Sequence, residues 1–114
     1  MANLLIDALD PLGRRVTCDL KAWDHVCKHH PEFLDPDMPA AVAKTIREPA
    51  FITDGKAPGK AHAYYGPAPF PFRATEMIKV AVKLGRRERG YVMTAYVVTA
   101  APPEEGVVWR KETS

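Results

Sequence analysis

The apolar positions change their period along the chain, and each change marks an element. Leu4 to Leu9 and Arg14 to Leu20 are short apolar runs separated by Asp10-Pro11-Leu12-Gly13, residue types that suit a tight reversal, so they predict an opening β-hairpin. From Leu20 the spacing becomes helical. At about 100° per residue Trp23, Val26, Cys27 and His30 fall within one stripe, and Pro31 closes the helix behind them. In Asp35-Pro36-Asp37-Met38-Pro39 an Asp cap precedes prolines that a first turn tolerates; Val42 and Ile46, with Ala43 between them, then form a second stripe ended by Glu48-Pro49.

Beyond that point the helical period disappears. Phe51 to Asp54 predicts a brief strand, Gly55 to Lys60 a loop, and Ala61 to Tyr65 another strand. The three prolines of Gly66-Pro67-Ala68-Pro69-Phe70-Pro71-Phe72 cannot donate ladder bonds, which predicts an extended loop. The clearest strand pattern follows, with Ile78, Val80, Val82 and Leu84 alternating with Lys79, Ala81 and Lys83. A Gly-Arg-Arg-Glu-Arg-Gly turn then leads into Tyr91 to Ala100. Pro102 to Glu105 predicts a loop, and Val107 to Arg110 a last short strand. A hairpin, two short helices and then strands is an α+β layout, with the N-terminal hairpin and the helices packed on one face of an antiparallel sheet of four to five strands. The other face is left for function.

The length of 114 residues corresponds to one domain spanning residues 1–114, which excludes a two-domain enzyme. At 46% hydrophobic and 26% charged, the composition is that of a chain that folds. No apolar run is long enough to span a bilayer, and the acidic first ten residues lack the basic start of a secretion signal, so a cytoplasmic location without membrane contact is expected. Cys18 and Cys27 have no metal-type spacing and predict no disulfide framework. The net charge of +2 is unevenly divided: between Gly55 and Tyr91 eight cations face only Glu76 and Glu88, and the remainder of the chain is acidic. This division fits a phosphate-binding face, although exposed lysines and arginines on any antiparallel sheet give the same count.

Four segments carry a resemblance. Trp23-Asp24-His25-Val26-Cys27-Lys28-His29-His30-Pro31-Glu32, Thr45-Ile46-Arg47-Glu48-Pro49-Ala50-Phe51-Ile52, Val80-Ala81-Val82-Lys83 and Val92-Met93-Thr94-Ala95-Tyr96 together resemble the phage-type branch of the barnase, EndoU, colicin and RelE (BECR) nuclease superfamily. The likeness runs from about Val16 to Trp109 and departs from the family pattern in the proline-rich insert and in His29. It implies a curved antiparallel sheet behind an N-terminal helical part. It also implies a metal-independent ribonuclease activity in a toxin or mobile-element setting, with a neutralising antitoxin or immunity protein as a partner.

Cutting RNA without a metal requires a base for the 2′-hydroxyl, an acid for the leaving oxygen and donors around the phosphate. Histidine suits the proton transfers because its ordinary pKa lies near neutrality. His30, at the C-terminal end of the first helix on its inward side, is the first candidate; a core histidine is the plainer reading. His25 lies about 140° around that helix from His30, so both can face one substrate only if the helix crosses the rim of the site. His25 and His29 have the i, i+4 spacing of zinc ligands, yet no third ligand is visible and no metal or other cofactor is expected. Thr94 and Tyr96 share a side of their strand, as do Lys79 and Lys83 of theirs, and these sides form one polar cluster if they coincide. Both pairs are also ordinary strand residues. Arg73 and Tyr65, flanking the proline insert, are candidates for binding phosphate and stacking a base. The expected function is RNA cleavage by general acid–base transesterification, with His30 or His25 moving the proton and Lys83, Thr94 and Tyr96 holding the phosphate. The alternative is a non-catalytic RNA-binding or protein-interaction module of the same fold.

Overall fold

The structure, a computed structural model, describes residues 4–54, 59–69, 75–99 and 106–111. The opening hairpin is present as β1 (Leu4–Leu9) and β2 (Arg15–Asp19), joined by a turn in which Gly13 takes φ +87°. The last residue of β2 starts the next element: the Asp19 carboxylate accepts from the N–H of Ala22 at 2.8 Å and caps α1 (Leu20–His29). Trp23, Val26 and Cys27 are its buried residues, as the helical stripe predicts. A single 3₁₀ turn, Pro31–Leu34, buries Phe33, whose ring meets Trp23 edge-on at 5.9 Å. Asp35 then closes a local turn onto the N–H of Asp37 at 2.9 Å, ahead of α2 (Met38–Arg47).

Five further strands complete one sheet: β3 (Phe51–Thr53), β4 (Ala61–Pro67), β5 (Met77–Leu84), β6 (Arg89–Val98) and β7 (Val107–Arg110). The order across the sheet is β1-β2-β6-β5-β4-β3-β7. An α+β layout is therefore correct, but the expected sheet of four to five antiparallel strands is corrected to seven strands of mixed direction. The hairpin does not pack on the sheet; it is the edge of it, because β2 runs parallel to β6 with Arg15 opposite Arg89 and Thr17 opposite Tyr91. The proline-rich segment is corrected as well. Gly66 and Pro67 belong to β4, opposite Ile78 and Met77, whereas residues 70–74 lie outside those described. Most of the expected loops at Gly55–Lys60 and Pro102–Glu105 also fall outside them.

Both helices pack on the same face, where Val26, Phe33, Val42 and Ile46 form one core with Val16, Ile52, Tyr64, Ile78, Val80, Val82 and Ala95. Helix α2 touches β1 as well as β4 and β5. Those strands are three and four places apart, about 14–19 Å, comparable to the length of about 15 Å of the ten-residue helix. Gly66 permits the close approach: a Cβ there would meet Thr45 Oγ1 at 3.1 Å. No helix among the described residues is long and apolar enough to cross a membrane.

Candidate functional site: an aromatic and cationic row on the sheet face away from the helices

The face turned away from the helices is ordered by register. Tyr96 stands opposite Lys79, Lys79 opposite Tyr65, Tyr65 opposite Phe51, and Phe51 opposite Arg110, giving one row across five strands. The side chains touch along it. Lys79 Nζ lies 5.3 Å from the centre of the Tyr96 ring and 5.6 Å from that of Tyr65; Phe51 stacks on Tyr65 at 4.7 Å, and the Arg110 guanidinium sits 5.9 Å above Phe51. Opposite residues on one face are neighbours in any sheet, and alternating rings and cations attract through the ring quadrupole.

Helix α1 supplies the other end of the row. Beyond Tyr91 no strand pairs with that side of β6 among the described residues, and α1, continuing directly from β2, lies against β6 instead. Its cap residue His30, whose N–H donates to the Val26 carbonyl at 2.8 Å, therefore reaches Tyr96, and the two rings stack at 5.5 Å and 23°. Glu32 Oε1 lies 3.7 Å from His30 Nδ1. The imidazole is one-third exposed, flanked by a phenol on one side and a carboxylate on another.

Beside the row runs a low one: Thr94 opposite Ala81, Ala81 opposite Ala63, and Ala63 opposite Thr53. Ala63 and Thr53 are buried and Ala81 and Thr94 half-buried, so Thr94 is the hydroxyl on this face that lies next to Lys79 and Tyr96. An irregularity makes this possible. Val92 pairs with Val82 but Thr94 pairs with Ala81, so Met93 is an extra residue that breaks the alternation. Were Met93 paired in a regular ladder instead of bulged out, the register set by Tyr91 and Lys83 would place Thr94 and Tyr96 opposite Val80 and Ile78, facing the core.

The predicted site residues thus divide. His30, Tyr96, Lys79 and Tyr65 form a continuous line, and Thr94 adjoins it; Tyr65 is only 6% exposed, its ring packed by Phe51 and Lys79, so the expectation that it stacks a base is corrected. Lys83 shares the face but is four residues from Lys79, about 13 Å along the strand, and is exposed opposite Ala61 and Tyr91. Lys79, not Lys83, is the lysine in the row. His25 is exposed on α1 with its ring edge-on to His29 at 4.6 Å, away from the row. Among the described residues no cluster of three or more His, Cys, Asp or Glu could hold a metal. Arg73 lies outside the described residues. Phe51 and Arg110 are members that periodicity does not reveal, because only the pairing of β3 with both β4 and β7 brings them into the row. The chain matches no family model, no curated protein and no solved structure.

Electrostatics favour a fixed positive charge in the row. Partial burial works to lower the Lys79 pKa, but the oxygens of Tyr96 and Tyr65 more than offset it and hold the ammonium above its ordinary value. It stays a cation through the neutral range. The helix-side face carries a second polar group unrelated to the row. Tyr64, buried on β4, donates to Asp10 Oδ2, and Asp10 Oδ1 accepts from the N–H of Leu12 and Arg14 at 2.9 and 2.7 Å. Nearby His62 has a buried, unpartnered Nδ1; burial and then Arg14 push its pKa down, so it is neutral near pH 7.

Proposed function

We propose that this chain is a metal-independent endoribonuclease working at the His30 end of the row. The observation that carries the reading is the continuity of His30, Tyr96 and Lys79: a proton acceptor, a phenol and a permanent cation follow one another, the His30 ring 5.5 Å from that of Tyr96 and Lys79 Nζ 5.3 Å from the same ring. In this reading His30 takes the proton of a 2′-hydroxyl, and the Glu32 carboxylate 3.7 Å from Nδ1 offsets the charge of the imidazolium that forms. The 2′ oxygen bonds to phosphorus, the bond to the 5′ oxygen breaks, and that oxygen leaves with a proton from water. A 2′,3′-cyclic phosphate remains. Lys79, Tyr96 and Thr94 offset the charge that grows on the non-bridging oxygens. Because its pKa is raised, Lys79 acts by charge and not by proton transfer.

The row also suits a sheet that holds RNA without cutting it, since stacked rings with interleaved cations are a general single-strand platform. The reading as a toxin restrained by a neutralising protein adds that such a protein would cover this face. Incubating RNA with the protein in the presence of a chelator decides between the readings. Cleavage to cyclic-phosphate ends, lost in His30→Ala, supports the nuclease; RNA bound but intact supports the binding module. Cleavage that the chelator abolishes overturns the metal-free mechanism.

A further inference from the structure

The row does not end at the catalytic group, and its far end has a use. Arg110 is exposed on β7, one face of its guanidinium resting on Phe51, which in turn stacks on Tyr65. From Lys79 to Arg110 is three inter-strand steps, about 14 Å. That span is too long for both cations to bind one phosphate, and no acidic side chain belongs to the row between them. We infer that Arg110 is a second phosphate contact for a single-stranded RNA that crosses the strands along this row, holding a nucleotide other than the one cut beside His30. This rests on the reading of His30 and Lys79 as the cleavage site.

Three features argue for it. A guanidinium docked on a ring loses less freedom on binding than a free one, and it keeps its edge N–H groups for phosphate oxygens. The opposite face of the guanidinium is open, and RNA-binding sheets stack unpaired bases on such planes. A duplex keeps its bases paired and inside, so it could not use that surface.

The test compares two substrates. On an oligonucleotide extending several nucleotides to each side of the cut, Arg110→Ala should raise KM about tenfold, the loss expected for one charge-assisted hydrogen-bonded contact, with kcat unchanged. On a dinucleotide, which cannot reach from Lys79 to Arg110, the variant should match wild type. Phe51→Leu should move the same parameters in the same direction by a smaller factor. Equal losses on both substrates, or none on the longer one, overturn the inference. Binding separates its failure from that of the cleavage reading. For a single-stranded oligonucleotide, the slope of log affinity against log salt should fall in Arg110→Ala by about 0.7, the contribution of one phosphate contact. If wild type cuts nothing but this slope changes, cleavage fails and Arg110 stands; an unchanged slope removes Arg110.

Discussion

Removing one hydroxyl, that of Tyr64, should cost far more than its size suggests. Tyr64 is fully buried, and the Asp10 carboxylate it donates to is 3% exposed, so water cannot replace the phenol. The same carboxylate closes the turn between β1 and β2 through the N–H groups of Leu12 and Arg14. Tyr64→Phe keeps the ring and leaves Asp10 Oδ2 without a donor. A hydrogen bond to a charged group contributes about 1.5–3 kcal/mol, and burial puts this one in the upper half of that range. For a chain of this length each kcal/mol moves the midpoint by about 4 °C, so Tm should fall by roughly 8–12 °C. Circular dichroism melts and urea titrations would measure it, with the urea slope unchanged because the exposed surface is unchanged. In a cycle with Asp10→Asn the two positions should couple by at least about 1 kcal/mol. The per-molecule cleavage rate should not change, because Tyr64 faces the core and not the row. A Tyr64→Phe protein melting within about 2 °C of wild type would refute the reasoning, since the acceptor would then be satisfied some other way.

Four further outcomes follow from the same geometry. Lys79→Met should lower kcat for RNA cleavage by about 10²–10³ while the protein melts normally, the scale seen when one preorganised charge donor is removed; a smaller loss than about fivefold would place the charge elsewhere. Gly90→Ala should destabilise by about 1–3 kcal/mol in urea, because the added Cβ would meet Val82 Cγ1 at 2.7 Å inside the core. At the tip between β5 and β6, Arg87 and Glu88 hold φ of 57° and 55°, so Arg87→Asn with Glu88→Gly should stabilise the protein by about 1–2 kcal/mol; no gain would mean the turn relaxes. The Arg15 guanidinium hydrogen-bonds Asp7 and holds its carboxyl below the ordinary 3.8. The stability it adds is present above that ordinary value and is lost as pH falls through the lowered one; an NMR titration should show the Asp7 midpoint rising towards 3.8 in Arg15→Gln.

Local signals account for what is legible in the sequence. The stripes of α1 and α2 and the alternation of β5 each lie within a few residues, and periodicity reports them directly. The parallel contact of β2 with β6 joins segments more than seventy residues apart, and neither strand's pattern names its partner. Prolines mislead in the segment after Tyr65, because Pro67 sits at the end of β4 where a missing N–H costs little. The site follows the same division. His30, Tyr96, Lys79 and Tyr65 are readable as chemical types, and the inward bias of His30 as helical phase. Choosing Lys79 over Lys83 requires the register, and finding Phe51 and Arg110 requires the neighbours of β3 on both sides.

The surplus residue in β6 makes that strand behave like a reading frame. Upstream of Met93 the outward positions are odd-numbered and downstream they are even-numbered, and the bulge absorbs the difference: losing that one codon would leave Ala95 inside and Thr94 and Tyr96 outside, whereas drawing Met93 into a regular ladder would exchange them. A homologue one residue shorter between Val92 and Ala95 would therefore show the same downstream face on an unbulged strand, and an alignment without a gap there would assign its outward residues to the interior.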